Sequence, residues 1–154
     1  MRAKVPVEDR LDLGKLSQDQ LDLGVSGSGL VEASGAVKTL HVGVSGSGGA
    51  KLNGLSAGDV SADISGSGWI QGSGSASKVR VSISGSGSAD MGALTVDDAE
   101  ASISGSGSAR LSPKQSADVG VSGSGHVKLE TEPAHLTTHK SGSGWISHPG
   151  GTSS

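Results

Sequence analysis

The sequence predicts an all-β protein: a single-domain parallel β-helix, or solenoid, of about seven coils of 18–20 residues. Three observations carry that expectation. First, the tetrapeptide Ser-Gly-Ser-Gly begins at Ser26, Ser45, Ser65, Ser84, Ser104, Ser122 and Ser141, at gaps of 19, 20, 19, 20, 18 and 19 residues. Second, apolar and polar residues alternate before the first six copies: Leu21-Leu23-Val25, Leu40-Val42-Val44, Val60-Ala62-Ile64, Val79-Val81-Ile83, Ala99-Ala101-Ile103 and Ala117-Val119-Val121. Third, two further columns follow each tetrapeptide. One runs Val31, Ala50, Ile70, Ala89, Ala109, Val127, Ile146, and the other Ala33, Leu52, Gly72, Met91, Leu111, Leu129. Alternation with period two and β-branched enrichment is a strand signal, and no window offers a helical stripe.

Composition agrees and narrows the function. The chain has 154 residues, room for one domain, and its 27 Gly and 30 Ser make up more than a third of it. That composition without a period would read as disorder; the period is what argues for structure. There is no Cys, Phe or Tyr, and there are two Trp. These counts exclude a disulfide scaffold, a cysteine zinc site, a cysteine nucleophile and an aromatic platform for single-stranded nucleic acid. A net charge of −3 offers no basic footprint, so no nucleic-acid partner is expected. No apolar run reaches the 18 residues of a membrane-spanning helix, and the start, Met1-Arg2-Ala3-Lys4-Val5-Pro6, does not read as a signal peptide.

Along the chain, residues 1–20 read as an N-terminal capping segment. Leu11-Asp12-Leu13-Gly14 echoes Leu21-Asp22-Leu23-Gly24, which suggests an irregular starting coil over residues 5–20. Residues 21–147 are the solenoid repeat domain. One coil is too thin to bury anything, so each apolar column must pack against the same column of its neighbours. At about 4.8 Å per coil, seven coils make a rod roughly 30–35 Å long, and right-handed winding is expected. Counting parity from Ile64 puts both Gly66 and Gly68 inward, at a bend with no room for Cβ. Charges support the register: Glu32 aligns with Lys51, Asp90 with Arg110, Arg80 with Glu100, and Lys78 falls between Asp59 and Asp98. Thr138 and Lys140 interrupt the inward columns, and Pro133 and Pro149 flank the last coil, as suits an edge that should not recruit another strand. Residues 148–154 read as a disordered tail.

The pattern apolar-x-apolar-Ser-Gly-Ser-Gly-x-apolar, as in Val81-Ser82-Ile83-Ser84-Gly85-Ser86-Gly87-Ser88-Ala89, resembles the head GIN domain family of auto-transporter adhesins, from about Leu21 to Ile146. The resemblance implies a bacterial β-helical domain in an extracytoplasmic setting (periplasmic, outer-membrane-associated or secreted), named for adhesion and bringing no catalytic or binding residues. Family members often place an acidic residue straight after the tetrapeptide. Here that slot holds Leu30, Gly49, Trp69, Ser88, Ser108, His126 and Trp145.

Two features could bind a ligand. The serine columns, with Ser47, Ser67 and Ser86 at their centre, could form a flat hydroxyl face for a glycan or for ice; alternatively, small hydroxyls simply fit a tight bend and bond along the ladder. An ice face would favour Thr, which is scarce. Trp69 and Trp145 share an outward slot four coils apart in identical Ser-Gly-Ser-Gly-Trp-Ile contexts. Each could anchor a sugar, a protein or a second copy of the chain, or could merely cover apolar surface. Metal binding is not expected. His126, His135, His139 and His148 crowd the C-terminus, but His135 and His139 would share a face only on a helix, and this segment reads as strand. No cofactor is expected, and neither a dinucleotide nor a P-loop glycine motif is present. Coil lengths vary by only two residues, leaving no insertion to wall a catalytic cleft. The sequence therefore predicts a non-catalytic surface-interaction solenoid whose partner is a cell-surface glycan or protein. The alternative is a self-assembling structural β-helix, with a homo-oligomer open in either case; ice binding is a minor third.

Overall fold

In a computed structural model, residues 2–5, 10–148 and 151–153 are described, with side chains over 20–147 apart from Ala33. The strands are β1 (Arg2–Val5), β2 (Arg10–Gly27), β3 (Leu30–Gly46), β4 (Gly49–Gly66), β5 (Trp69–Gly85), β6 (Ser88–Gly105), β7 (Ser108–Gly123), β8 (His126–Leu129), β9 (His135–Ser141), β10 (Trp145–His148) and β11 (Gly151–Ser153). Each long strand is one whole coil, bent on itself and breaking only at the tetrapeptide. β2 through β7 pair in parallel with their sequence neighbours, β8 and β9 both cover β7, and β10 covers β8. The result is a parallel β-solenoid of about seven turns.

The register is the one the repeat demands. Ser45 pairs with Ser26 and with Ser65, and Ser84 pairs with Ser65 and with Ser104. The charged residues meet as aligned: Glu32 opposite Lys51, Lys78 between Asp59 and Asp98, and Arg80 opposite Glu100 with nitrogen and oxygen 3.3 Å apart. Inside, the columns are apolar and buried. Val25, Val44, Ile64, Ile83, Ile103 and Val121 are all buried, as are Val31, Ala50, Ile70, Ala89, Ala109, Val127 and Ile146. A chain with so little large apolar surface per coil folds because each side chain is covered from above and below.

The tetrapeptide forms the first corner. Its backbone ladder continues round the bend: the Ser67 N–H donates to the Gly46 carbonyl at 3.0 Å and the Trp69 N–H to the Gly48 carbonyl at 3.1 Å. Here the structure corrects the parity count. Gly68 is buried, and a Cβ there would stand 2.3 Å from Val44 Cγ1, but Gly66 is exposed. Gly66 has φ +105°, which rotates the chain out of strand alternation, and a Cβ on it would meet the Gly46 carbonyl oxygen at 2.9 Å. One glycine turns the chain and the other makes room for the core.

The second corner, half a coil away, absorbs the difference in coil length. Register shifts fall between Ala33 and Gly35, Leu52 and Leu55, Gln71 and Ser73, and Asp90 and Thr95. In one column Gly35, Leu55, Gly74 and Leu94 alternate. The 19-residue coils place a glycine there, with φ +117° at Gly35 and +121° at Gly74; the 20-residue coils bury a leucine. Likewise Met91 fills the space beside Gly72, where a Cβ would lie 2.6 Å from its Sδ.

At the N-terminal end, within the stretch read as a cap, β2 already pairs with β3 from Arg10 onward with one shift between Asp12 and Lys15, and β1 lies against Asp22–Val25. At the other end Thr138 and Lys140 of β9 lie over Val119 and Val121, placing an exposed ammonium group on top of an apolar column. Within the stretch read as a disordered tail, β11 pairs antiparallel with β10. Pro149 lies outside the described residues.

Candidate functional site

Two outward columns run along the face that follows the first corner. The first is the variable slot: Leu30, Gly49, Trp69, Ser88, Ser108, His126 and Trp145 are paired successively down the rod. The second column, two residues on, carries Glu32, Lys51, Gln71, Asp90, Arg110 and Lys128. Because the coils are rigidly in register, residues 18–20 apart in sequence become neighbours about 4.8 Å apart.

The two tryptophans find different neighbours in that slot. Trp69 lies back over Gly49: a Cβ on Gly49 would be 2.2 Å from the indole Cε2, so the ring occupies the place of the missing side chain and is only partly exposed. Trp145 meets His126 instead, with ring centroids 4.7 Å apart and planes inclined by 31°. It is 37% exposed, the one large hydrophobic side chain so exposed among the described residues. The slots of Trp69 and Trp145 are four coils, roughly 19 Å, apart. They do not form one site.

Between them the short side chains Ser88 and Ser108 leave a recess of about 360 Å³. Its end wall is Trp145 with His126, its floor is Ser88, Ala89, Ser108 and Ala109, and Asp90, Arg110 and Lys128 stand along one side. Arg110 is held from several directions. Its Nε lies 3.0 Å from Glu130 and its Nη1 4.0 Å from Asp90, while its aliphatic stem crosses Gly92, where a Cβ would be 2.6 Å from Cδ. Lys128 Nζ lies 3.9 Å from the same Glu130 oxygen. The side wall thus carries two cations and one carboxylate, and Glu130, outside the recess lining, pairs with both cations.

The remaining candidates lie elsewhere. Ser47, Ser67 and Ser86 form an exposed column along the first corner. Among the described residues the ladder there is made by backbone amides, and no hydroxyl of the three has a hydrogen-bond partner. His135 and His139 do share the outward face of β9, since residues four apart on a strand point the same way, but they are about 13 Å apart. No group of three or more metal-ligating side chains occurs among the described residues. The members of the recess other than Trp145 escaped sequence reasoning as a site. Asp90 and Arg110 served only to fix the register, and His126 appeared only in the slot after the tetrapeptide and in the histidine tract. The signal that could have joined them is the alignment itself, read across coils rather than along the chain.

Comparison with known proteins agrees with the fold. The sequence profile of a family described as "Putative auto-transporter adhesin, head GIN domain" matches residues 4–71 and again 51–133, two overlapping matches that together span residues 4–133. A crystal structure described as a putative lipid binding protein from Parabacteroides distasonis superposes with a TM-score of 0.83 at 22% identity. The superposition covers 94% of this chain and 57% of that one, so this chain spans little more than half its length; at that identity the likeness is one of fold. No protein of curated function matches the sequence.

Proposed function

The chain belongs to the auto-transporter adhesin head GIN domain family, and from that premise we propose that it is a non-catalytic surface-interaction solenoid working outside the cytoplasm, at the cell envelope or beyond it. The observation that carries this reading is the recess ending at Trp145. An exposed indole beside fixed polar groups, on a rod otherwise faced mainly with serines and charged residues, suits recognition of an external partner. The polar groups suit holding more than proton transfer, because Asp90 and the adjacent Glu130 are both paired with Arg110. The lipid-binding name of the structural neighbour fits this chain less well, since a lipid tail needs an apolar cavity and the inward columns here pack against one another.

The test is retention of the purified chain on intact cells and on a panel of surface polysaccharides, with light scattering over a concentration series. A fixed small species that is retained supports the reading. Growth into rods without retention would replace it by the self-assembly alternative, against which Lys140 and Thr138 stand at the exposed β9 edge.

A further inference from the structure

We infer that the Trp145 recess is a saccharide subsite that seats a pyranose ring of a neutral glycan, with Trp145 as the stacking face and Asp90 and Arg110 as the hydroxyl-binding pair. This deepens the surface-interaction reading and rests on it. Four features of the recess select that ligand. A pyranose presents a face of C–H bonds, which suits the electron-rich face of an indole, and Trp145 is the exposed indole. His126, which lies between Ser108 and Trp145 in the slot, packs against the ring and fixes its inclination, leaving the part of the indole that projects past the imidazole to the sugar, so that little side-chain freedom is lost on binding. Sugar hydroxyls donate and accept at once, and the side wall offers a carboxylate acceptor, Asp90, beside a guanidinium donor, Arg110. Arg110 is held in place beforehand by Glu130 and by Gly92, whose missing side chain lets the stem lie flat.

Charge decides between neutral and acidic sugars. Arg110 and Lys128 are already paired, Arg110 with Asp90 in the recess and both cations with Glu130 just outside it, so a uronate or sialate carboxylate would have to compete for them with Asp90 opposing it. The volume of about 360 Å³ lies at the small end of the roughly 300–1,000 Å³ found for ligand clefts. It fits one or two rings, with the chain free to continue over Ser108 and Ser88 toward the middle of the rod. Trp69, lying over Gly49, takes no part.

The experiment uses the full chain carrying Trp69→Phe, so that Trp145 is the only indole, and follows its emission while gluco-, galacto- and manno-tetraoses and a tetra-uronate are titrated in. The expected result is a saturable shift with at least one neutral tetraose and an affinity for the uronate about tenfold lower. Calorimetry on otherwise wild-type protein should then find binding about tenfold or more weaker in Trp145→Ala, and comparably weakened in Asp90→Asn and Arg110→Gln, with unchanged circular dichroism. Emission unmoved by every neutral tetraose at millimolar concentration would overturn the proposal, as would Trp145→Ala binding like wild type or the uronate binding most tightly. Retention of the wild-type chain on cells separates the two levels. If it persists while the tetraoses fail, only the saccharide site falls; if it fails too, the surface-interaction reading falls with it.

Discussion

The two corners of each coil solve the same problem, turning a strand through a narrow rod, in opposite ways. At the tetrapeptide corner every coil uses the same pair of glycines in the same roles, and the ladder passes through without a register shift, its donor changing only at the last corner, where the Gly144 N–H rather than that of Ser143 bonds to Gly123. At the second corner no two successive coils agree. Gly35 and Gly74 turn with positive φ, Leu55 and Leu94 fill the space above them, and the register slips at each step. The difference teaches that one corner per coil suffices to keep the stack aligned, and that the other is then free to absorb coils of unequal length. The recess lies directly beside the invariant corner. Its residues differ from coil to coil, yet they are held on the most regular backbone in the molecule, which is where a preorganised site is best placed.

Substitutions can break this contrast. The largest effect is expected at the first corner: Gly85→Val places a branched side chain at φ +113°, with a Cβ 2.8 Å from the Gly66 carbonyl oxygen. Strain and overpacking together should cost about 3 kcal/mol or more, read as a fall in the urea midpoint. A midpoint equal to the parent's would remove the corner from its structural role. At the second corner Leu94→Ala should cost about 2–4 kcal/mol by opening a cavity, and the glycine of the neighbouring coil cannot fill it. If the cost were below about 1 kcal/mol, the alternation of leucine and glycine would not be a packing arrangement.

Smaller effects sharpen the comparison of the two tryptophans. Trp69→Ala uncovers Gly49 and should cost about 2 kcal/mol, whereas Trp145→Ala gives up one inclined ring contact and should cost about 1 kcal/mol. Equal costs would mean that Trp145 is as much a structural lid as Trp69. The smallest change is expected at Gly43, outward on β3, where an added methyl would meet nothing within 4 Å and the backbone has an ordinary strand φ. Gly43→Ala should stabilise by a few tenths to about 1 kcal/mol through the unfolded chain, visible as a slightly raised midpoint.

Much of this was legible in the sequence because a solenoid writes its register once per coil. Ser26 through Ser141 fixed the alignment, and from it came the buried columns and the meetings of Arg80 with Glu100 and of Lys78 with its two aspartates. What was not legible fails for identifiable reasons. Parity cannot be counted through Gly66, because a residue at positive φ resets which way its successors point. The second corner is opaque because Gly74 and Leu94 serve one column while having nothing in common chemically. The recess was hidden for a third reason. Trp69 and Trp145 have identical flanks, and only the residue one coil back, Gly49 or His126, distinguishes a covering ring from an exposed one.

The most direct measurement is a crystal structure of the full chain with the neutral oligosaccharide that binds it most tightly. A sugar ring should lie against Trp145 with its hydroxyls within hydrogen-bonding distance of Asp90 and Arg110. A sugar seated instead on the Ser47, Ser67 and Ser86 corner, or on Trp69, would contradict the assignment of the recess.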